Sequence, residues 1–254
     1  MPGVTMAGFG DRGMTPPGLR LIPHPAVTLL LVFDGTIAAE DPSGRRHEGS
    51  FVIGPGFGEV IRAVRVDAFE CLQVRLSPLV ASAVLGPLDS VVAFDEVCGA
   101  ESARLSEQLG ALSSWDDRFA LADAWLTRRW AAARQVEPEV VWTWRQIAAS
   151  RGTARIDHLA DELGWSRKRL WSRFTTQVGM APKRAAKLVR FDHAVHRLVA
   201  GQDAAAVAAD GGYTDQSHLH RDVKAFTGLT PATVVDEPFL AIDDIAWGWP
   251  GRRR

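Results

Sequence analysis

Apolar residues follow two different patterns along this chain. In the first third they form short runs at 27–33, 51–53, 60–66 and 69–76, separated by turn-forming residues such as the Asp-Pro-Ser-Gly at 41–44. Runs of this kind predict β-strands, and the alternation within 69–76 predicts a strand that buries one face. From Pro78 onward, apolar residues recur at spacings of three and four, which predicts helices.

These patterns predict an α+β protein in which a small mostly-β domain with a helical cover precedes an all-α domain. Glu137-Pro138 breaks the helical pattern, so we place the boundary near Val136. Residues 1–18 are rich in Gly, Pro and Met and are expected to be a disordered leader, with Met6 or Met14 as other possible starts. The predicted segments are therefore 1–18, 19–136, 137–237, and a tail at 238–254 that either folds back through Trp247 and Trp249 or is loose.

The predicted all-α part contains an internal repeat. Residues 159–182 recur in weaker form at 207–231. Landmarks before and within the predicted turn are offset by 48 positions, from Ala160 to Ala208 and from Ser166 to Thr214, whereas later landmarks are offset by 49. One residue is therefore inserted in the second copy, and the offsets place it after the turn. A repeated unit of this size is usually used twice.

Each copy has the signals of a helix-turn-helix unit, namely an apolar stripe, a small residue at the helix crossing and a tight glycine turn. In the first copy Gly164 suits a left-handed helix end and Ser166 suits an N-cap. Thr214 is the corresponding cap predicted in the second copy. Gly179 and Gly228 are predicted to end the two second helices.

The landmarks resemble the DNA-binding domain of the AraC/XylS family of bacterial transcription regulators. The resemblance covers residues 138–236 and includes a linking helix from Pro182 to about Gly201 and the segment 212–219 (GYTDQSHL). It implies two helix-turn-helix subdomains on double-stranded DNA, a preceding domain that binds a small effector or forms a homodimer, and contact with RNA polymerase if the protein is an activator. Leu219 and Val223 depart from the family's usual phenylalanines, which predicts a looser second subdomain.

The outward faces of the two second helices supply the predicted DNA-binding residues. These are Arg167, Lys168, Arg169, Trp171, Ser172 and Arg173 in the first copy, and Gln216, Ser217, His220, Arg221 and Lys224 in the second. Gln can pair with adenine and Arg with guanine in the major groove, whereas Arg167, Arg169 and Arg173 are expected nearer phosphates. Trp171 either contacts bases or packs on the linking helix, and the sequence leaves both open.

Charge is uneven within this region, although the whole chain has a formal net charge of only −1. Residues 151–190 hold ten Lys and Arg against three acidic residues, whereas 191–237 hold three against seven. Because DNA attraction scales with the number of phosphates neutralised, we expect the first subdomain to carry most of the affinity.

The sequence gives little support for a disulfide, metal, catalytic, cofactor or membrane-spanning role. The two cysteines, Cys71 and Cys98, fit neither a disulfide framework nor a zinc pattern, and we find no catalytic constellation, cofactor motif or membrane-length apolar segment. A cytoplasmic regulator that is not an enzyme is the main prediction. Two alternatives remain open: a DNA repair or modifying enzyme with Cys71 as acceptor thiol, and a DNA-binding protein whose first domain only dimerises.

Overall fold

Strands dominate the first part of the chain and helices the rest. The computed structural model describes residues 1–11, 20–55 and 61–240. The strands are β1 (Val4–Asp11), β2 (Arg20–Leu21), β3 (Val27–Glu40), β4 (Arg46–Glu48), β5 (Phe51–Ile53), β6 (Ile61–Leu76) and β7 (Val91–Ala93). The helices are α1 (Pro78–Leu85), α2 (Phe94–Cys98), α3 (Ala100–Ala111), α4 (Trp115–Ala132), α5 (Pro138–Ala149), α6 (Ile156–Glu162), α7 (Arg167–Val178), α8 (Pro182–Val199), α9 (Ala204–Asp210), α10 (Gln216–Thr227) and α11 (Pro231–Val234).

The described residues divide into two compact units. The first comprises 1–11, 26–55 and 61–136, and the second comprises 20–25 and 137–240. The predicted first domain, 19–136, therefore needs one correction, because the segment 20–25 groups with the helical unit. The Arg20 guanidinium explains part of this grouping, since it donates a hydrogen bond to the Thr227 carbonyl (3.4 Å) and lies 3.5 Å from the Glu237 carboxylate.

The first unit contains an antiparallel sheet with the strand order β1-β6-β3-β5-β7, and β4 adds to β3. Its centre is the pairing of the two longest strands, in which Leu31 lies opposite Leu72. From Ile61 onward, the two runs predicted at 60–66 and 69–76 lie in one strand, β6. The register of the β3–β6 pairing shifts between Val32 and Asp34, between Gly35 and Ile37, and between Ala38 and Ala39.

Helices cover one face of this sheet. Leu29, Leu72 and Val74 of the sheet belong to the same buried cluster as Phe94 and Trp125 of the helices. The predicted helical cover is therefore present. The strand at 69–76 buries one face as predicted, since Leu72, Val74 and Leu76 are fully buried, but the opposite face is also partly covered, because Cys71 is only 2% exposed. Alternation of polar and apolar letters could not reveal this, since Cys is itself readily buried.

The expected disordered leader is also wrong for its central part. Val4–Asp11 forms β1 and pairs with β6 over its whole length, from Val4 opposite Leu76 to Asp11 opposite Phe69. One glycine that suggested disorder serves packing instead, because a Cβ atom on Gly8 would lie 2.3 Å from the Trp115 ring. Residues 12–18 lie outside the described residues.

The second unit is all helical apart from β2. Leu170 and Phe174 in α7, and Leu219 and Val223 in α10, are fully buried. The two residues that depart from the expected phenylalanines thus still lie in the core. Phe226 helps to fill the space, since its ring centroid lies 4.7 Å from that of Phe191 in α8.

The predicted tail is described only as far as residue 240, and both Phe239 and Leu240 are buried. Trp247 and Trp249 lie outside the described residues. None of the helices within the described ranges is both long and apolar enough to cross a membrane.

Candidate nucleic-acid interface

The first helix-turn-helix unit consists of α6, a four-residue turn and α7. Gly164 takes the predicted left-handed conformation (φ +64°), and the Trp165 N–H donates to the Ala160 carbonyl at 2.9 Å. This bond satisfies a carbonyl that the helix end would otherwise leave unpaired. The Ser166 hydroxyl then accepts from the Arg169 N–H at 3.2 Å, so Ser166 is the N-cap of α7 as predicted.

The second unit repeats this construction with α9 and α10. The Tyr213 N–H donates to the Ala208 carbonyl at 3.2 Å, which matches the Trp165 bond at an offset of 48. The N-cap differs from the prediction, because the Asp215 carboxylate rather than Thr214 accepts from the His218 N–H, at 2.7 Å. The cap is therefore offset by 49 from Ser166, and the inserted residue, Thr214, lies in the turn itself rather than after it.

Both second helices have the same length and the same ending. Each spans twelve residues and ends at a glycine in the left-handed conformation, Gly179 with φ +85° and Gly228 with φ +71°. All eleven residues predicted to bind DNA are exposed, six of them on α7 and five on α10. Trp171, whose placement the sequence left open, is 56% exposed and so is not packed on the linking helix α8.

Two of the predicted phosphate-binding arginines have partners within the protein. The Arg169 guanidinium lies over the Trp165 ring, 4.4 Å from its centroid. Arg173 pairs with the Glu137 carboxylate and donates from its Nε at 3.0 Å. The Glu137 backbone N–H donates in turn to the Gln177 side chain at 2.8 Å. Glu137 thus bonds to two side chains of α7, Arg173 and Gln177, which lie one turn apart.

A buried carboxylate joins α8 to α10 in the second subdomain. Asp222 is 2% exposed and lies 3.0 Å from both the Lys187 ammonium and the Arg190 guanidinium. Arg190 also lies over the Tyr213 ring, 4.5 Å from its centroid. Burial, and then the Asp222 charge, raise the pKa of the Tyr213 hydroxyl, so it stays protonated.

Comparison with known protein families agrees with this geometry. Residues 159–236 match a family model described as a helix-turn-helix domain. This segment is an AraC-type helix-turn-helix domain. No curated protein sequence gives a significant match to the chain.

Solved structures of ToxT from Vibrio cholerae are similar in fold to most of this chain. The O395 protein is 10% identical with a TM-score of 0.52, and the match covers 92% of this chain and 98% of that chain. The same protein bound to (E)-4-(8-methylnaphthalen-1-yl)but-3-enoic acid is 10% identical with a TM-score of 0.51 and the same coverage. Wild-type ToxT from strain SCE256, bound to an unsaturated fatty acid, is 8% identical with a TM-score of 0.50, covering 93% and 96%.

The acidic balance of residues 191–237 does not extend to the outward face of α10 in the AraC-type domain. Six of the seven acids have partners within the protein, and two of these are Asp192, which lies 3.7 Å from His196, and Glu237, which lies 3.5 Å from Arg20. Asp203 and Asp215 cap helices, Asp210 pairs with Arg197, and Asp222 is neutralised by α8. Asp222 is also the only acid within α10, so that helix presents Arg221 and Lys224 to solvent without an exposed carboxylate.

Sequence reasoning missed the residues that hold the recognition helices in place, namely Glu137, Gln177 and Asp222. A signal for one of them was present, because Asp222 falls at the same repeat position as Arg173. A charge reversal at equivalent positions suggests that each has its own partner. The identity of those partners required the tertiary structure.

Proposed function

We propose that this chain is a sequence-specific DNA-binding transcription regulator of the AraC/XylS type. The observation that carries the proposal is the pair of equally long, equally capped helices, α7 and α10, each with an exposed polar face. A helix-turn-helix unit places its second helix in the major groove of DNA. The two recognition helices would read successive major-groove segments about 34 Å apart along one side of the duplex.

We assign the exposed side chains of α7 and α10 either to base contacts or to phosphate contacts. Lys168 and Ser172 lie one turn apart on α7 and serve base contacts, whereas Arg167 and Arg169 serve phosphates near the start of the helix. On α10 the proposed DNA-contacting residues are Gln216, Ser217, His220, Arg221 and Lys224. Arg221 folds back along its helix, where its Nε donates to the Ser217 carbonyl at 3.3 Å. This contact orients the guanidinium along α10.

Selection of bound sequences from random DNA with the full-length protein tests this function. We expect an enriched site with two half-sites. Lys168→Ala or Ser172→Ala should relax base preference in one half-site, whereas Arg169→Ala should weaken binding to all sequences and flatten its salt dependence. An unchanged binding profile in all three variants would remove α7 from the interface.

For the first unit we propose that it binds a small apolar carboxylic acid and transmits its presence to the DNA-binding domain. Support comes from the two ToxT structures that hold an aryl butenoic acid and an unsaturated fatty acid. A ligand that binds the native state stabilises it, so a thermal-shift screen should show a concentration-dependent rise with unsaturated fatty acids. No rise with any acid would favour a first unit that only forms a homodimer. Homodimerisation and contact with RNA polymerase stay predictions.

The alternative of a repair or modifying enzyme loses its main support. An acceptor thiol must reach the thiolate state in an accessible site. Burial raises the pKa of Cys71 to about 12, and its side chain is 2% exposed. A regulator without enzymatic activity fits these properties better.

A further inference from the structure

Trp171 has an exposure that protein stability does not explain. Among the residues that the structure describes, it is the only large hydrophobic side chain that is exposed, with 56% of its surface accessible. Burial of a large apolar side chain is favourable. An indole left in water on a helix that is otherwise well packed therefore suggests an external partner.

The position of Trp171 narrows the choice of partner. It lies on the outward face of α7, one turn after Lys168 and next to Ser172, both of which are exposed. The helix contains no acidic residue. A polyanion suits this cationic surface, because its basic side chains attract phosphates and so bring α7, together with Trp171, onto the nucleic acid.

A protein partner fits this surface less well. Protein docking sites usually present contiguous apolar patches of a few hundred Å², whereas Trp171 is a single apolar side chain among polar and charged ones. In the DNA major groove, by contrast, the apolar feature is the C5-methyl group of thymine, which favours contact with apolar side chains. A single thymine methyl group is small and apolar, so it suits contact with a single exposed indole.

We propose that Trp171 selects thymine within the half-site read by α7, by packing its indole against a C5-methyl group. This inference rests on the proposed DNA-binding function and adds a base identity to it. In this proposal Lys168 and Ser172 supply hydrogen bonds to the bases, whereas Trp171 supplies an apolar contact.

Replacement of thymine by deoxyuridine provides the test, because it removes the methyl group and leaves every hydrogen-bonding atom in place. The selected duplex is resynthesised with deoxyuridine at one thymine at a time, and its affinity for the full-length protein is measured. At one or two positions in the α7 half-site we expect the wild type to bind about fourfold more weakly, the effect of one buried methyl group. Trp171→Ala should bind the thymine and deoxyuridine duplexes equally.

Thr176→Ala is the matched control, because it alters another exposed residue of α7 to which no DNA contact is assigned and leaves the indole, and it should keep the fourfold discrimination. Trp171 is exposed, so its truncation should not alter folding, and thermal melting checks this. A selected half-site without thymine, or an equal deoxyuridine penalty in wild type and Trp171→Ala, overturns the inference while the proposed function stands. DNA affinity unchanged by Trp171→Ala also overturns it and points to a protein partner. A chain that enriches no DNA sequence overturns both proposals.

Discussion

Arg173 and Asp222 occupy equivalent positions of the two recognition helices and carry opposite charges. Arg173 pairs with Glu137 at the start of α5, and Asp222 pairs with Lys187 and Arg190 of α8. In each subdomain the recognition helix is thus tied to the helix that precedes its helix-turn-helix unit. The two ties differ in burial, because the Asp222 side chain is 3% exposed and that of Arg173 is 49% exposed.

The difference in burial predicts unequal effects on stability. Asp222→Asn should lower the free energy of unfolding by about 2–3 kcal/mol, because it leaves two cations facing each other without a buried counter-charge. Arg173→Gln should cost less than about 1 kcal/mol, as is typical of exposed ion pairs. Urea denaturation followed by far-ultraviolet circular dichroism measures both, and equal losses would contradict the unequal burial.

Because Arg173 pairs with the Glu137 carboxylate, we expect Glu137 to compete with DNA for this side chain. Glu137→Gln should release the guanidinium to a phosphate, tighten DNA binding and steepen the dependence of log K on log salt by about 0.9, the increment of one phosphate contact. Glu139→Gln is the control, since it removes the same charge two residues away. Affinity measured over a salt series distinguishes the two variants, and identical slopes would show that Arg173 stays with Glu137 or faces solvent in the complex.

Burial of Cys71 predicts a loss of stability in alkali. The unfolded thiol, whose ordinary pKa is 9.0, ionises above pH 9, whereas burial raises the pKa of the folded thiol to about 12. Between these values the unfolded chain binds fewer protons, so the free energy of unfolding falls as pH rises, by up to about 1.4 kcal/mol per pH unit. Below pH 9 the group contributes no slope.

Cys71→Ala isolates this contribution, because it should show a shallower decline than the wild type between pH 9 and 11 in denaturant titrations. The native protein should also resist alkylation at Cys71 at pH 8, with mass spectrometry as readout. Rapid labelling of Cys71 under native conditions would contradict its burial and revive the acceptor-thiol alternative.

Gly152 and Gly164 form a matched pair in the AraC-type domain. Both have positive φ, +77° and +64°, so alanine at either costs about 1–2 kcal/mol from backbone strain. A Cβ atom on Gly152 would also lie 2.1 Å from the Ala186 carbonyl of α8, whereas nothing lies within 4 Å at Gly164. Gly152→Ala should therefore lower the free energy of unfolding distinctly more than Gly164→Ala. Equal losses in thermal or urea unfolding would show that the loop before α6 can move away from α8.

Local signals in the sequence predicted much of the recognition region. The repeat, the left-handed Gly164 and the Ser166 cap depend on residues within one or two turns, so short-range chemistry determines them. The same logic failed at Thr214, because Thr and Asp are both good caps and adjacent in the chain. The structure shows which of them caps α10, since the Asp215 carboxylate accepts from the His218 N–H and the Asp215 backbone is extended at φ −161°.

The sequence by itself determined that two helix-turn-helix units exist, where the two recognition helices end, and which side chains face outward. Helical periodicity and capping act over a few residues and leave a readable pattern. Only the tertiary structure decided that Val4–Asp11 joins the sheet, that Arg20 bonds to the helical unit, and that Glu137 and Asp222 hold the recognition helices. These pairings join residues tens to hundreds of positions apart. Local sequence periodicity therefore does not indicate which distant residue pairs with a given strand edge or charged side chain.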